Sequence, residues 1–263
     1  MSVSETDEIL HAVEDGVARI VFNRAQARNA LTFAMYERLH ALCEACDADP
    51  QVRVVVIAGA GGKAFAAGTD IAAFREVRTA EDALAYEARI ERVLGRLERL
   101  SKPTIAMIAG ACTGGGAAIA AACDLRVAEA GAKIGFPIAR TLGNCLSVKN
   151  LARLAALVGA QTVKEMIFTA RLLSAEEALA KGFLTEVAPD AAALEARVAA
   201  LAQTIAGHAP LTLAATKRGL AMLSPDVAEG VGDDLVVACY TSADFREGME
   251  AFLAKRPPRW QGR

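Results

Sequence analysis

From Ile9 the chain alternates apolar and polar side chains to Val13, passes through Glu14-Asp15-Gly16, and alternates again from Val17 to Phe22. A period of two buries one face of an extended chain, and Asp-Gly tolerates the backbone of a tight turn, so this segment predicts a β-hairpin. After a loop over residues 23–31, Thr32 is placed to cap a helix running to about Ala48, with Met35, Leu39, Leu42 and Cys46 on one face. Asp49-Pro50 ends it. Residues 52–58 are then apolar but for Arg53, the pattern of a strand buried on both faces, and strand–helix–strand in this order predicts a parallel βαβ unit.

A loop rich in Gly and Ala covers residues 59–70, and a polar stretch over 75–82 leads into a helix expected from about 83 to 100. Lys102-Pro103 precedes a strand at 104–108, the Gly114-Gly115-Gly116 run, and strands at 125–127 and 133–136. From Leu146 onward the periodicity is helical, over 146–158, 161–169, 175–181, 191–207, 211–222, 227–241 and 245–254. Ser174-Ala175-Glu176-Glu177 is a capping box opening one of these helices. The pattern predicts an α/β core over residues 1–190 and a helical C-terminal region over 191–263, with no internal repeat.

Composition narrows this picture. Of the 263 residues 54% are hydrophobic, enough for a large core, and only 5% are aromatic, which favours close packing of small side chains over a β-sandwich. The 29 basic and 31 acidic residues leave a net charge of −2, so a nucleic-acid or membrane-surface partner is not expected. Residues 104–123 carry no charge, yet glycines interrupt them and alanines add little apolar surface, so they read as a buried strand, a turn and a helix start rather than a membrane span. Six scattered cysteines and an acidic start without a basic, apolar leader predict a reduced, cytoplasmic protein. Cys43 and Cys46 lie on a helix without a second metal-spaced pair, so they read as core; so do Cys112 and Cys123, and no metal site is expected. His11, His40 and His208 read as surface or cap residues.

Two glycine turns carry the candidate chemistry. Each follows an apolar strand and precedes a helical segment: Phe65-Ala66-Ala67-Gly68-Thr69-Asp70-Ile71, and Gly110-Ala111-Cys112-Thr113-Gly114-Gly115-Gly116. Free N–H groups at such turns can converge on one oxygen and stabilise charge developing there. Tight turns needing glycine for backbone reasons alone fit the same spacing. The glycines do not form the dinucleotide fingerprint, Gly62-Lys63 is followed by Ala64 rather than Ser or Thr, and no nucleophile elbow occurs, so dinucleotide, P-loop and nucleophile-elbow hydrolase readings fail.

The run Lys102-Pro103-Thr104-Ile105-Ala106, Gly110, Gly114-Gly115-Gly116 and Cys123-Asp124, with Ala64 to Ile71 upstream, resembles the enoyl-CoA hydratase/isomerase (crotonase) superfamily. So do Asn23-Arg24, Arg28-Asn29-Ala30-Leu31, Ala175-Glu176-Glu177-Ala178 with Gly182, and Arg246-Glu247-Gly248 with Lys255-Arg256. The resemblance implies a spiral of ββα units and a helical C-terminal region forming homotrimers or hexamers. It also implies an acyl-CoA substrate, with coenzyme A entering as part of that substrate and no permanently bound cofactor. It places an oxyanion hole on the backbone N–H groups of Thr69 and Gly115. CoA contacts would fall on Arg24, Arg28, Ala30, Ala66, Gly68, Asp70, Ile71, Gly114 and Lys255.

One departure matters. Hydratases of this superfamily use two glutamates, and here the corresponding positions hold Ala118 and Ile138 (or Ala139), none of which titrates. Ordinary hydration is therefore doubtful. Glu91, on the margin of the 83–100 helix, is one replacement acid/base, although a solvated partner for an arginine is the plainer reading. Arg140 could hold a substrate carboxylate, which would suit decarboxylation of a carboxylated acyl-CoA, or it could simply belong to a loop capping the next helix. Cys145 as a nucleophile has no histidine nearby in sequence. A shell that binds acyl-CoA without chemistry is the remaining alternative.

Overall fold

A computed structural model describes residues 7–70, 79–223, 238 and 242–263. The hairpin forms as expected: β1 (Ile9–Glu14) and β2 (Val17–Phe22) pair antiparallel across Asp15 and Gly16, both at positive φ. Thr32 caps α1 (Phe33–Ala48) by accepting from the Met35 N–H at 3.1 Å. β3 (Val54–Gly59) then lies parallel to β2 and completes the βαβ unit.

From here each turn of the chain repeats one plan. A strand enters a large sheet, a short strand enters a small one, and a helix follows. The first unit is β3, β4 (Ala64–Ala67) and α2 (Ala80–Glu98); the second is β5 (Thr104–Ile108), β6 (Ala111–Thr113) and α3 (Gly115–Ala122). The third is β7 (Leu125–Glu129), β8 (Lys133–Gly135) and the short α4 (Ile138–Thr141), followed by α5 (Val148–Phe168). With β9 (Leu173–Ser174) and β10 (Glu186–Ala188), the sheets run β1-β2-β3-β5-β7-β10 and β4-β6-β8-β9. This is the ββα spiral. The uncharged run 104–123 is β5, β6 and α3, and among the described residues no single helix is long and apolar enough to cross a membrane.

Both faces of the large sheet are covered, which is why β3 reads as an unbroken apolar run. Val55 and Ile57 face the main core with α1, α2 and α3, while Val54, Val56 and Ala58 face α7 (Ala191–Ala206) through Leu194, Val198 and Ala202. Core packing thus continues past the division expected at residue 190. Phe22, ending β2, meets Phe65 of β4 edge-on with centroids 5.5 Å apart, tying the two sheets together.

Among the described residues the helical reading of the rest holds, with one refinement and the short strands β9 and β10 set between the helices. The break expected between 158 and 161 is a kink inside α5 at Gly159, whose φ of 75° no other residue type adopts readily. Ser174 and Glu177 form the expected capping box of α6 (Ala175–Ala180). α8 (Pro210–Ala221) and α9 (Ala243–Leu253) follow, and α8 has no buried residue, with Leu220 63% exposed. Ile71, Cys239 and most of the helix expected at 227–241 lie outside the described residues.

Candidate active site

β4 and β6 are parallel neighbours in register, Ala67 opposite Thr113, and each ends in a glycine at positive φ: Gly68 at 97° and Gly114 at 51°. The two turns touch. A Cβ on Gly114 would lie 3.4 Å from Gly68 Cα, and one on Gly116 would strike the Ala66 carbonyl at 2.3 Å. Glycine is therefore required here both for backbone conformation and for close approach.

The residue after each glycine presents its N–H away from the framework. Leu31 donates to the Gly68 carbonyl and accepts from the Asp70 N–H, both at 2.9 Å, which turns the intervening Thr69 N–H to the opposite side. Gly115 begins α3, where a helix leaves its first N–H groups without internal partners. Neither N–H donates to an acceptor among the described residues. Two unspent donors thus stand side by side on the wall of a cavity of about 250 Å³. Such a pair can hold an oxygen whose charge grows during a reaction.

A hydroxyl cluster lies beneath these donors. Tyr36, from α1 and only 1% exposed, shares a hydrogen bond with Thr69 Oγ1 at 2.9 Å, and Tyr86 reaches the same oxygen at 3.4 Å. The Tyr36 hydroxyl occupies the space a Cβ on Gly115 would need, 2.2 Å from it. Burial pushes both phenols above their ordinary pKa, so they act as neutral hydrogen-bonding groups near neutral pH.

Ala118 and Ile138 do line the cavity, and neither can move a proton. Among the described residues the carboxyl that lines it is Glu87 on α2, not Glu91. Burial raises the Glu87 pKa above the usual carboxylate range, the charge of Glu91 adds to this, and the Ser147 N–H opposes it. Glu91 lies one helical turn further along and turns to Arg153 at 3.3 Å, while its second oxygen is buried without a partner among the described residues. Arg140 is likewise displaced from its expected role. It is exposed on α4 and does not line the cavity, because Ile138 and Thr141 are the α4 residues turned inward.

The expected CoA contacts separate in the same way. Arg24 is committed to Glu8 at 3.0 Å, Asp70 at 3.1 Å and the Ala30 carbonyl at 2.6 Å, so both Arg24 and Asp70 are spent on holding the loop. Arg28 is exposed in left-handed conformation, and its carbonyl accepts from the Ala67 N–H, which sets the cation beside the end of β4. Ala66 is fully buried behind Ala67, Gly68 and Gly114, which line the cavity. Lys255 is exposed past α9, outside the cavity wall. Asn29 organises this region: fully buried, it donates to the carbonyls of Ala60 and Ala64 and accepts from the Arg24 N–H.

The other sequence expectations resolve simply. Cys43, Cys46, Cys112 and Cys123 are buried and free, with thiols raised by burial, to about 12 for Cys43 and about 11 for Cys46. Cys145 is exposed at the cavity rim, and no cluster of metal ligands occurs among the described residues. A larger cavity of about 550 Å³ between the end of α2 and α8 lies away from both glycine turns. Glu87, Tyr36, Tyr86 and Asn150 are among the cavity residues that the sequence does not single out as a site. Only Glu87 left a usable signal, since it shares a helix margin with Glu91 four residues on.

The family described as enoyl-CoA hydratase/isomerase matches residues 12–263. A crotonyl-CoA hydratase from Syntrophomonas wolfei is 32% identical over 256 residues, covering 95% of this chain and 96% of that protein. A short-chain-enoyl-CoA hydratase from Clostridium acetobutylicum is 31% identical over 255 residues, covering 96% and 97%. Among solved structures, an enoyl-CoA hydratase/carnithine racemase from Magnetospirillum magneticum superposes with a TM-score of 0.93 at 34% identity, covering 98% of this chain and 97% of that one.

Proposed function

Because the chain belongs to the enoyl-CoA hydratase/isomerase family, whose members act on acyl-CoA, we propose that it moves a proton at the carbon next to a CoA thioester. In this reading the thioester oxygen sits between the N–H groups of Thr69 and Gly115, and the enolate forms there. Glu87 is the acid/base. The observation that carries the reading is the pair of unspent N–H donors facing the same cavity as a carboxyl of raised pKa. Arg28, exposed beside β4, is the cation best placed to meet a CoA phosphate, whereas Arg24 and Asp70 hold the loop that presents it.

One carboxyl suits isomerisation better than hydration. Shifting a double bond needs a proton taken from C2 of a 3-enoyl thioester and returned at C4, and Glu87 alone can carry it while the enolate charge rests on the two amides. Hydration also needs water activated, and Ala118 and Ile138 supply no base for that. The decarboxylation reading leaned on Arg140, whose exposed place outside the cavity gives it no support.

The prediction is that 3-hexenoyl-CoA is isomerised at least ~10²-fold faster than crotonyl-CoA is hydrated. Both are read by absorbance and mass spectrometry on one enzyme preparation. Hydration as fast as isomerisation would mean that a second acid/base group exists and that this assignment is wrong. Binding of both thioesters without conversion of either would favour a non-catalytic shell.

A further inference from the structure

Asn150 lies in the first turn of α5 and is only 5% exposed, yet it lines the active-site cavity. Its Oδ1 accepts from Arg153 Nη1 at 2.7 Å. That bond fixes the carboxamide, because the flipped orientation would set an NH₂ group against a guanidinium, donor facing donor. The amide nitrogen is thereby turned away from Arg153. It donates to nothing among the described residues, and it is not among their fully enclosed unpartnered atoms. Its open side is the cavity.

Arg153 is itself held firmly. Its side chain is 6% exposed and is gripped by Glu98, which accepts from Nε and, at 2.7 Å, from Nη2, and by Glu91 Oε1 at 3.3 Å. Two carboxylates from α2 therefore orient an arginine on α5, and the arginine orients an amide that points at the substrate space. Ile90, Ile138 and Leu146 supply apolar wall to the same cavity, alongside the polar groups of Glu87, Thr141 and Asn144. At about 250 Å³ the cavity falls below the roughly 300–1,000 Å³ of pockets for drug-sized ligands and suits a short acyl group.

We infer that Asn150 is a specificity-determining residue whose amide N–H donates to an oxygen carried on the acyl chain. The preferred substrates are then short CoA thioesters bearing a hydroxyl or carbonyl oxygen beyond the thioester itself. Arg153 is the positioning residue. This rests on the proposal that the acyl group occupies this cavity. A plain hydrocarbon chain would dry the amide without giving it an acceptor, and sites built to bond a polar group reject analogues that lack it.

Calorimetric titration of the full chain with butyryl-CoA, 3-hydroxybutyryl-CoA and 4-hydroxybutyryl-CoA tests this. The wild type is expected to bind at least one hydroxylated thioester about tenfold or more tightly than butyryl-CoA, equivalent to about 1.4 kcal/mol. Asn150→Leu, close in volume, should erase that preference while leaving butyryl-CoA affinity within about threefold, and Asn150→Asp, which replaces the donor by acceptors, should erase it too. Arg153→Met should weaken only the hydroxylated thioester, and Arg153→Lys should recover part of the loss. Equal affinities in the wild type, or a preference that survives in either Asn150 variant, would overturn the inference and leave the acyl-CoA reading standing. Failure of all three thioesters to bind would instead overturn that reading and the inference with it.

Discussion

Replacing Gly115 by alanine is expected to cut turnover of an acyl-CoA by about 10²–10³, the range seen when one oxyanion donor is lost. The N–H itself survives in this variant, so the effect is steric. The new Cβ would stand 2.2 Å from the Tyr36 hydroxyl and 2.9 Å from Thr69 Oγ1, distances that real contacts never reach. Tyr36 is fully enclosed beneath the turn and bonded to Thr69, so neither oxygen has free space to retreat into. The start of α3 must move instead, and the Gly115 N–H leaves its place beside that of Thr69. Combining Gly115→Ala with Tyr36→Phe removes the closest clashing atom and should recover at least about tenfold of the lost rate. Circular dichroism and thermal melting of each variant separate this from unfolding. Unchanged turnover in the single variant would mean that the two amides do not act together.

Glu87→Gln is expected to lower kcat by about 10²–10⁴, the usual contribution of a general acid/base, with butyryl-CoA affinity within about threefold of wild type. Glu91→Gln should change kcat by less than about threefold, because that side chain turns to Arg153 rather than to the cavity. The pH dependence gives a second readout. Glu87 must be ionised to accept a proton, so kcat/KM rises as pH passes upward through its pKa. Burial raises that pKa, which moves the rising limb above the usual glutamate range. The limb should vanish in Glu87→Gln and persist in Glu91→Gln. The reverse pattern would restore Glu91 as the acid/base.

The contrast between these glutamates shows where the sequence is legible. A 3.6-residue period puts Ile90, Val93, Leu94 and Leu97 on the buried stripe of α2 and both Glu87 and Glu91 on one margin of it, but periodicity cannot say which turn meets a cavity and which meets another helix. That depends on Arg153, which arrives from α5, 62 positions along the chain from Glu91. Arg24 illustrates the same limit: its motif suggested a phosphate contact, while Glu8 on the hairpin side and Asp70 after β4 claim the charge.

In the large sheet β3 and β5 were readable as apolar runs and β1 and β2 by their alternation, while the three-residue β10 left no signal in a stretch that reads as helical. β4 and β6 were not readable, since Ala64–Ala67 and Ala111–Thr113 are short and made mostly of small residues without strand signature. Those two strands are what set Gly68 beside Gly114. The glycines marked that turns were needed, and the parallel pairing of β4 with β6 made them neighbours.

The central claim is that this cavity makes and holds a thioester enolate, with Glu87 carrying the proton. Incubating butyryl-CoA with the enzyme in D₂O and following its mass tests this without knowledge of the natural acyl group. Removal of a C2 proton to Glu87, exchange of that proton with solvent and return of a deuteron adds one mass unit per cycle. The wild type should label C2 steadily and Glu87→Gln should label it at least about 10²-fold more slowly. Bound butyryl-CoA that stays unlabelled, or labelling undiminished in Glu87→Gln, would contradict the account.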